Sequence, residues 1–176
     1  MSLASRVCIV TGANKGIGYE IAKGMGALNF KVILACRNAQ LGMEAKSKLA
    51  ESGYDVELEL LDIADSNSIT SFVNTVTGKY PKIDVLINNA AIAFKAADPT
   101  PFNQQSRPTL RGNFFGTLEL TEKLIPHLKK SDHPVIVTVA SKPYFQGLYY
   151  SITISCCRHD GSSADPKVGG KEAAFP

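Results

Sequence analysis

No apolar run in the chain approaches the roughly 18 residues that a membrane-crossing helix needs, so a membrane is not an expected partner. The N-terminal stretch "MSLASRVCIVTG" enters a strand-like run too early for a cleaved signal peptide, and the expected location is cytoplasmic. Charge of one sign is scarce as well. The formal net charge is +3, and there is neither a block of five or more like charges nor a basic patch interleaved with aromatic residues. Nucleic acid is therefore not an expected partner either. Cysteines number four and histidines three. Cys8 and Cys36 sit inside apolar runs, where cysteine serves as a small buried hydrophobe. The adjacent Cys156 and Cys157 have neither zinc-ligand nor redox-motif spacing, and His127, His133 and His159 are scattered, so no metal site is expected.

What is present is a regular alternation. The 176 residues, 44% hydrophobic and 20% charged, suffice for one domain and not comfortably for two. Strand-like runs at 6–12, 31–36, 55–61, 83–89 and 134–140 alternate with helical patterns at 16–29, 39–52 and 66–80, and from about 102 to 130 with an interruption near Pro108. The first helix carries Ile17, Ile21, Met25 and Leu28 on one stripe, Gly53 stops the second, and the third has a Ser or Asn to cap it. Near-continuous apolar strands alternating with amphipathic helices predict an α/β fold: a doubly wound parallel sheet, Rossmann-like, truncated after the fifth strand. Residues 1–145 form the expected Rossmann-like domain. Residues 146–176, rich in Gly, Ser, Pro and charge, form an irregular or disordered tail.

The first strand runs into "TGANKGIG", residues 11–18, with glycines at 12, 16 and 18. Glycine allows the backbone to approach a pyrophosphate where a Cβ would clash, and a helix beginning near Gly16 aims its unpaired N–H groups at that anion. Asn14, Lys15 and Ile17 complete the turn. A further scarcity then bears on the cofactor. NAD enzymes of this architecture place a carboxylate at the end of the second strand to hold the ribose hydroxyls. No Asp or Glu occurs here between Glu20 and Glu44; Cys36 takes the acid's place, followed by Arg37 and Asn38. Arg37 and Lys15 are placed to close on a 2′-phosphate from two sides, and the expected cofactor is NADPH.

The same turn resembles the cofactor turn of the short-chain dehydrogenase/reductase family. Other segments resemble that family in the same order: "LDI" (61–63), "NNAA" (88–91), "NFFGT" (113–117) and "VTVAS" (137–141), and the stretch 88–102 is close to NADPH-dependent carbonyl reductases within it. The resemblance spans about residues 5–145. It implies that Asp62 and Ile63 meet the adenine, that Asn89 and Ala90 line the ribose, and that Asn113 and Ser141 belong to the catalytic group. It further implies hydride transfer from NADPH to a small-molecule aldehyde, ketone or quinone. The family places glycine where Ala91 stands; if that position needs positive φ, its methyl group costs about 1 kcal/mol.

One family element is missing. The proton donor of these enzymes is a tyrosine with a lysine four residues later. Tyr144, Tyr149 and Tyr150 have Leu148, Thr153 and Ile154 at that spacing, and the Tyr19–Lys23 match lies in the first helix beside the glycine turn. The expectation is a truncated or variant reductase with weak or no activity, or else a non-catalytic NADPH-binding or interaction protein. Its fifth strand, an uncharged apolar sheet edge, invites self-association.

Overall fold

The computed structural model describes residues 6–94 and 98–140. Five strands, β1 (Val7–Thr11), β2 (Lys31–Cys36), β3 (Val56–Leu60), β4 (Val85–Asn88) and β5 (Val135–Thr138), form one parallel sheet in the order β3-β2-β1-β4-β5. Each of the first four strands is followed by a crossover that returns the chain to the same end of the sheet, the right-handed solution for parallel pairing. β1 lies between β2 and β4, so the direction of winding reverses at its carboxyl end. In open α/β sheets ligands bind at that crevice.

Strand alternation sorts the core into two layers. Val7, Ile9, Ile33 and Leu86 pack under α3 (Ser66–Lys79) and α5 (Thr117–Leu128), against Ile69, Phe72, Val76, Leu120 and Leu124. Cys8, Val10, Val32, Leu34 and Ile87 pack under α1 (Gly16–Ala27) and α2 (Ala39–Glu51), against Ala22, Ala45 and Leu49. Both expected cysteines are buried, and burial pushes the Cys8 and Cys36 thiols above their ordinary range.

Several local expectations change. The stripe that seats α1 is Gly18, Ala22 and Gly26, while Ile17 and Leu28 are exposed and Ile21 and Met25 only half-buried. Small residues win because the helix lies close to its neighbours: a Cβ at Gly26 would stand 2.8 Å from the Tyr54 ring. The cap of α3 is Asp65, whose carboxylate accepts from the Asn67 N–H at 2.9 Å. A carboxylate there satisfies an orphan donor and also complements the helix dipole. Gly53, with φ of 84°, ends α2 as expected, but Asn29 at φ 59° performs the same task after α1. Asn29 is the only non-glycine residue with positive φ among those described, so the methyl of Ala91 carries no such strain. The long helical region does not break at Pro108, which lies inside α4 (Phe102–Leu110). It widens instead into a π-helical turn, Arg111–Gly116, before α5.

β5 is the outer strand of the described sheet. Val135 donates to Asp84 and Val139 to Asn88, so Ile136 and Thr138 turn their backbone groups away from β4. The expected absence of a later crossover helix and strands concerns 141–176, outside the described residues.

Candidate active site

The carboxyl ends of β1 and β4 lie side by side in the sheet, and Thr11 ties them together. Its buried hydroxyl accepts from the N–H groups of Asn89 and Ala90, both at 2.9 Å, and donates to the Ile87 carbonyl at 3.2 Å. Asn89 answers by donating from its amide nitrogen to the Thr11 carbonyl at 2.8 Å. The expected ribose-lining pair is thus fixed to the base of the glycine turn. Sequence reasoning missed Thr11, although a hydroxyl ending an otherwise apolar central strand, directly before a glycine turn, was a usable signal.

The three glycines of that turn do different things. Gly12 and Gly16 have φ of 66° and 57°, a region that L side chains avoid. A Cβ at Gly16 would meet nothing within 4 Å, whereas one at Gly18 would stand 2.4 Å from the Gly12 carbonyl oxygen and from the Asn89 amide nitrogen. Gly18 lets the helix start close beneath the turn, and Gly16 keeps the space in front of it open. The first turn of α1 has no acidic side chain and no side-chain cap, so its N–H groups keep their capacity for an anion. Lys15, the residue that caps this helix, is exposed, and Asn14 is half-buried beside it. A depression of about 250 Å³ opens next to them toward Tyr19 and Lys48.

At the end of β2, Cys36 is turned inward and a Cβ at Gly42 would meet its sulfur at 2.7 Å. No carboxylate could occupy that space without displacing α2. The Arg37 side chain is 73% exposed, with its guanidinium 3.9 Å from the Asp62 carboxylate. Asn38 caps α2, its side chain accepting from the Leu41 N–H at 2.9 Å. Asp62 forms a tight turn by accepting from the Ala64 N–H at 3.0 Å, and its own N–H donates to the Ser68 hydroxyl at 2.8 Å. Ile63 is buried under the π-helical turn. Uncapped helix N–H groups, two exposed cations and an end of β2 without an acid fit a dinucleotide carrying an extra phosphate.

Asn113 lies in the π-helical turn. Its carboxamide makes a two-point bond with the backbone of Ile92, accepting from the N–H at 2.8 Å and donating to the carbonyl at 2.9 Å. The extra residue of a π turn re-aims a side chain without ending the helix. One donor and one acceptor position of the carboxamide remain for other partners. The structure therefore brings Gly12, Asn14, Lys15, Gly16, Gly18, Arg37, Asp62, Asn89, Ala90 and Asn113 to one end of the sheet. Ile17 is exposed one residue inside α1. Ser141, Tyr144, Tyr149 and Tyr150 lie outside the described residues. No group of three or more His, Cys, Asp or Glu suited to a metal occurs among the described residues.

A model of the short chain dehydrogenase family matches residues 6–155. Carbonyl reductase (NADPH) 1 from Homo sapiens is 40% identical over 139 residues, 78% of this chain and 50% of that one. Carbonyl reductase (NADPH) 3 from Mus musculus is 38% identical over 161 residues, 91% of this chain and 55% of that one. Among solved structures, menthone neomenthol reductase from Mentha piperita matches with a TM-score of 0.70 at 30% identity, over 79% of this chain and 61% of its own. Actinorhodin polyketide ketoreductase with NADPH matches with a TM-score of 0.71 at 27% identity, over 78% and 53%. The chain spans about half the length of the curated relatives it matches.

Proposed function

The chain belongs to the short-chain dehydrogenase family, and from that premise we propose that it binds NADPH across the carboxyl ends of β1, β2 and β4 as part of a carbonyl reductase. The observation that carries the cofactor choice is the end of β2, where a buried Cys36 fills the acid's position and an exposed Arg37 follows. A 2′-phosphate is gripped there by the planar fork of Arg37 and the mobile charge of Lys15. The pyrophosphate rests on Gly12, Gly16 and the first turn of α1, with Asn14 and Ile17 flanking it. Asn38 stands beside Arg37 at the 2′-phosphate. Asp62 and Ile63 border the adenine, and Asn89 and Ala90 border the nicotinamide ribose. Bound there, NADPH supplies a hydride to the carbon of an aldehyde, ketone or quinone carbonyl.

Proton delivery is where this chain departs from the family pattern it resembles. Ser141 orients the carbonyl oxygen by hydrogen bonding. Asn113, anchored to Ile92, holds the loop after β4 and uses its remaining donor for a relay water. A tyrosine among Tyr144, Tyr149 and Tyr150 then has no lysine one helical turn later to lower its pKa or to hold the ribose. Losing an acid–base partner costs about 10²–10⁴-fold in rate, so turnover by this chain is weak and NADPH binding outlasts it. That substitution pattern also favours a second reading, a non-catalytic NADPH-binding or interaction protein. Titration by nicotinamide fluorescence, followed by loss of reduced-nicotinamide absorbance with aldehydes and quinones, separates the two. Slow but tyrosine-dependent turnover supports the reductase; binding without turnover supports the second reading; no NADPH binding overturns both.

A further inference from the structure

We propose that Arg111 is a positioning residue for the adenine end of the cofactor site, bracing the loop after β3 from the π-helical turn. The inference rests on the reading that NADPH binds across these strand ends.

The loop from Leu61 to Asp65 carries Asp62 and Ile63. From β2 it is held by the Leu61 N–H on the Cys36 carbonyl at 3.1 Å, and from α3 by Ser68. On the remaining side the contacts come from the π-helical turn. Arg111 donates from Nε to the Ala64 carbonyl at 2.9 Å, and from Nη2 to the Ser66 hydroxyl at 2.7 Å and to Glu119 Oε2 at 3.1 Å. The Ser66 hydroxyl donates in turn to the same Glu119 oxygen at 2.9 Å, closing a triangle of three side chains. Hydrogen bonding by Ser66, with Arg111 adding to it, holds the Glu119 carboxyl below the usual carboxylate range. The Arg111 and Glu119 side chains are 33% and 24% exposed, so the triangle is more ordered than a fully solvated surface pair. A planar fork can reach a carbonyl and a hydroxyl at once, which a lysine ammonium cannot do in the same geometry.

The bond to Ala64 attaches within two residues of Asp62 and Ile63, and a second contact fixes the same segment: a Cβ on Gly116 would stand 1.8 Å from the Ile63 carbonyl oxygen. The opposite side of the π-helical turn holds Ile92 through Asn113. One six-residue turn therefore supports the loops at both ends of the cleft, with Arg111 as the tether on the adenine side.

The test uses the 176-residue chain and two ligands, NADPH and adenosine 2′,5′-bisphosphate, which carries the adenine end alone. Arg111→Ala is expected to weaken both by about tenfold, the order of a lost charged hydrogen bond, and by the same factor, with the cooperative thermal transition retained. Arg111→Lys is expected to recover part of the loss. Unchanged affinity for the bisphosphate overturns the proposal. So does a loss for NADPH several times larger than for the bisphosphate, because the effect then spreads over the whole cleft. Should Arg111→Ala fail to fold, Arg111→Lys decides: weakened bisphosphate binding supports the brace, and wild-type affinity overturns it. A wild-type chain that binds neither ligand overturns the NADPH reading itself, and this proposal with it.

Discussion

The Arg37 guanidinium lies 3.9 Å from the Asp62 carboxylate, bridging the ends of β2 and β3. Both residues border the adenosine half of the proposed site, so a 2′-phosphate entering there competes with Asp62 for the arginine. Such an exposed pair is worth little by itself, and a doubly charged phosphate outcompetes it.

Arg37→Ala is accordingly expected to weaken NADPH binding about tenfold or more, since a hydrogen bond to a charged group contributes about 1.5–3 kcal/mol. NADH binding should change by less than about threefold, because no phosphate meets the side chain. Paired fluorescence titrations measure both. The NADPH loss should shrink as salt is raised, because the wild-type interaction is itself screened.

Thr11→Val removes the one hydroxyl that serves both the Asn89 and the Ala90 N–H groups. A fully buried donor left without a partner costs about 1–3 kcal/mol; both residues here are half-buried, so the two together should cost about 2–4 kcal/mol, the lower part of the summed range, by denaturant titration at unchanged slope. Thr11→Ser keeps the hydroxyl and should lose under about 1.5 kcal/mol.

Gly116→Ala sets a methyl group against the Ile63 carbonyl at 1.8 Å, with backbone on both sides of the contact. The expected loss is at least about 2 kcal/mol. Gly24→Ala, on an open face of α1 where a Cβ meets nothing within 4 Å, should instead stabilise by about 0.5–1 kcal/mol. Thermal melts of the two variants should therefore move in opposite directions.

Glu57 gives the pH dependence. Partial burial would raise its pKa, but hydrogen bonds from Lys79 and Tyr80 outweigh that and bring it down from 4.5 to about 2. A carboxylate with a depressed folded pKa stabilises fully above its unfolded value and loses that contribution as pH falls toward the folded one. Stability should thus drop between about pH 4.5 and 2, and Glu57→Gln should flatten that slope. Denaturant midpoints across this range measure it.

The frame of the site was legible because its signals are local. The glycines of "TGANKGIG" require particular backbone angles, and the missing acid before Arg37 is visible as a gap in the letters. What escaped the sequence depends on pairs far apart in the chain. Thr11 meets Asn89 across 78 positions, and Arg111 meets Ala64 across 47; no periodicity records such pairings. Apolar size alone points to Ile17, Ile21, Met25 and Leu28 as the buried stripe of α1, whereas close helix approach selects Gly18, Ala22 and Gly26. The sequence points to an interruption near Pro108, whose ring conflicts with a helical backbone, whereas the helix widens into a π turn at Arg111–Gly116. Its actual position follows from tertiary contacts of Gly116 and Asn113 that the chain order hides.

An α-helix with one residue too many is a poorer helix than its uninterrupted counterpart, and excising a single position from Arg111–Gly116 would repair it. The repair would rotate everything upstream by about 100° relative to Leu120, Leu124 and Leu128, swinging Arg111 and Asn113 away from the loops they hold. The chain keeps a local defect in the longest helical run among the described residues, and with it the angular phase that spans the cleft from end to end.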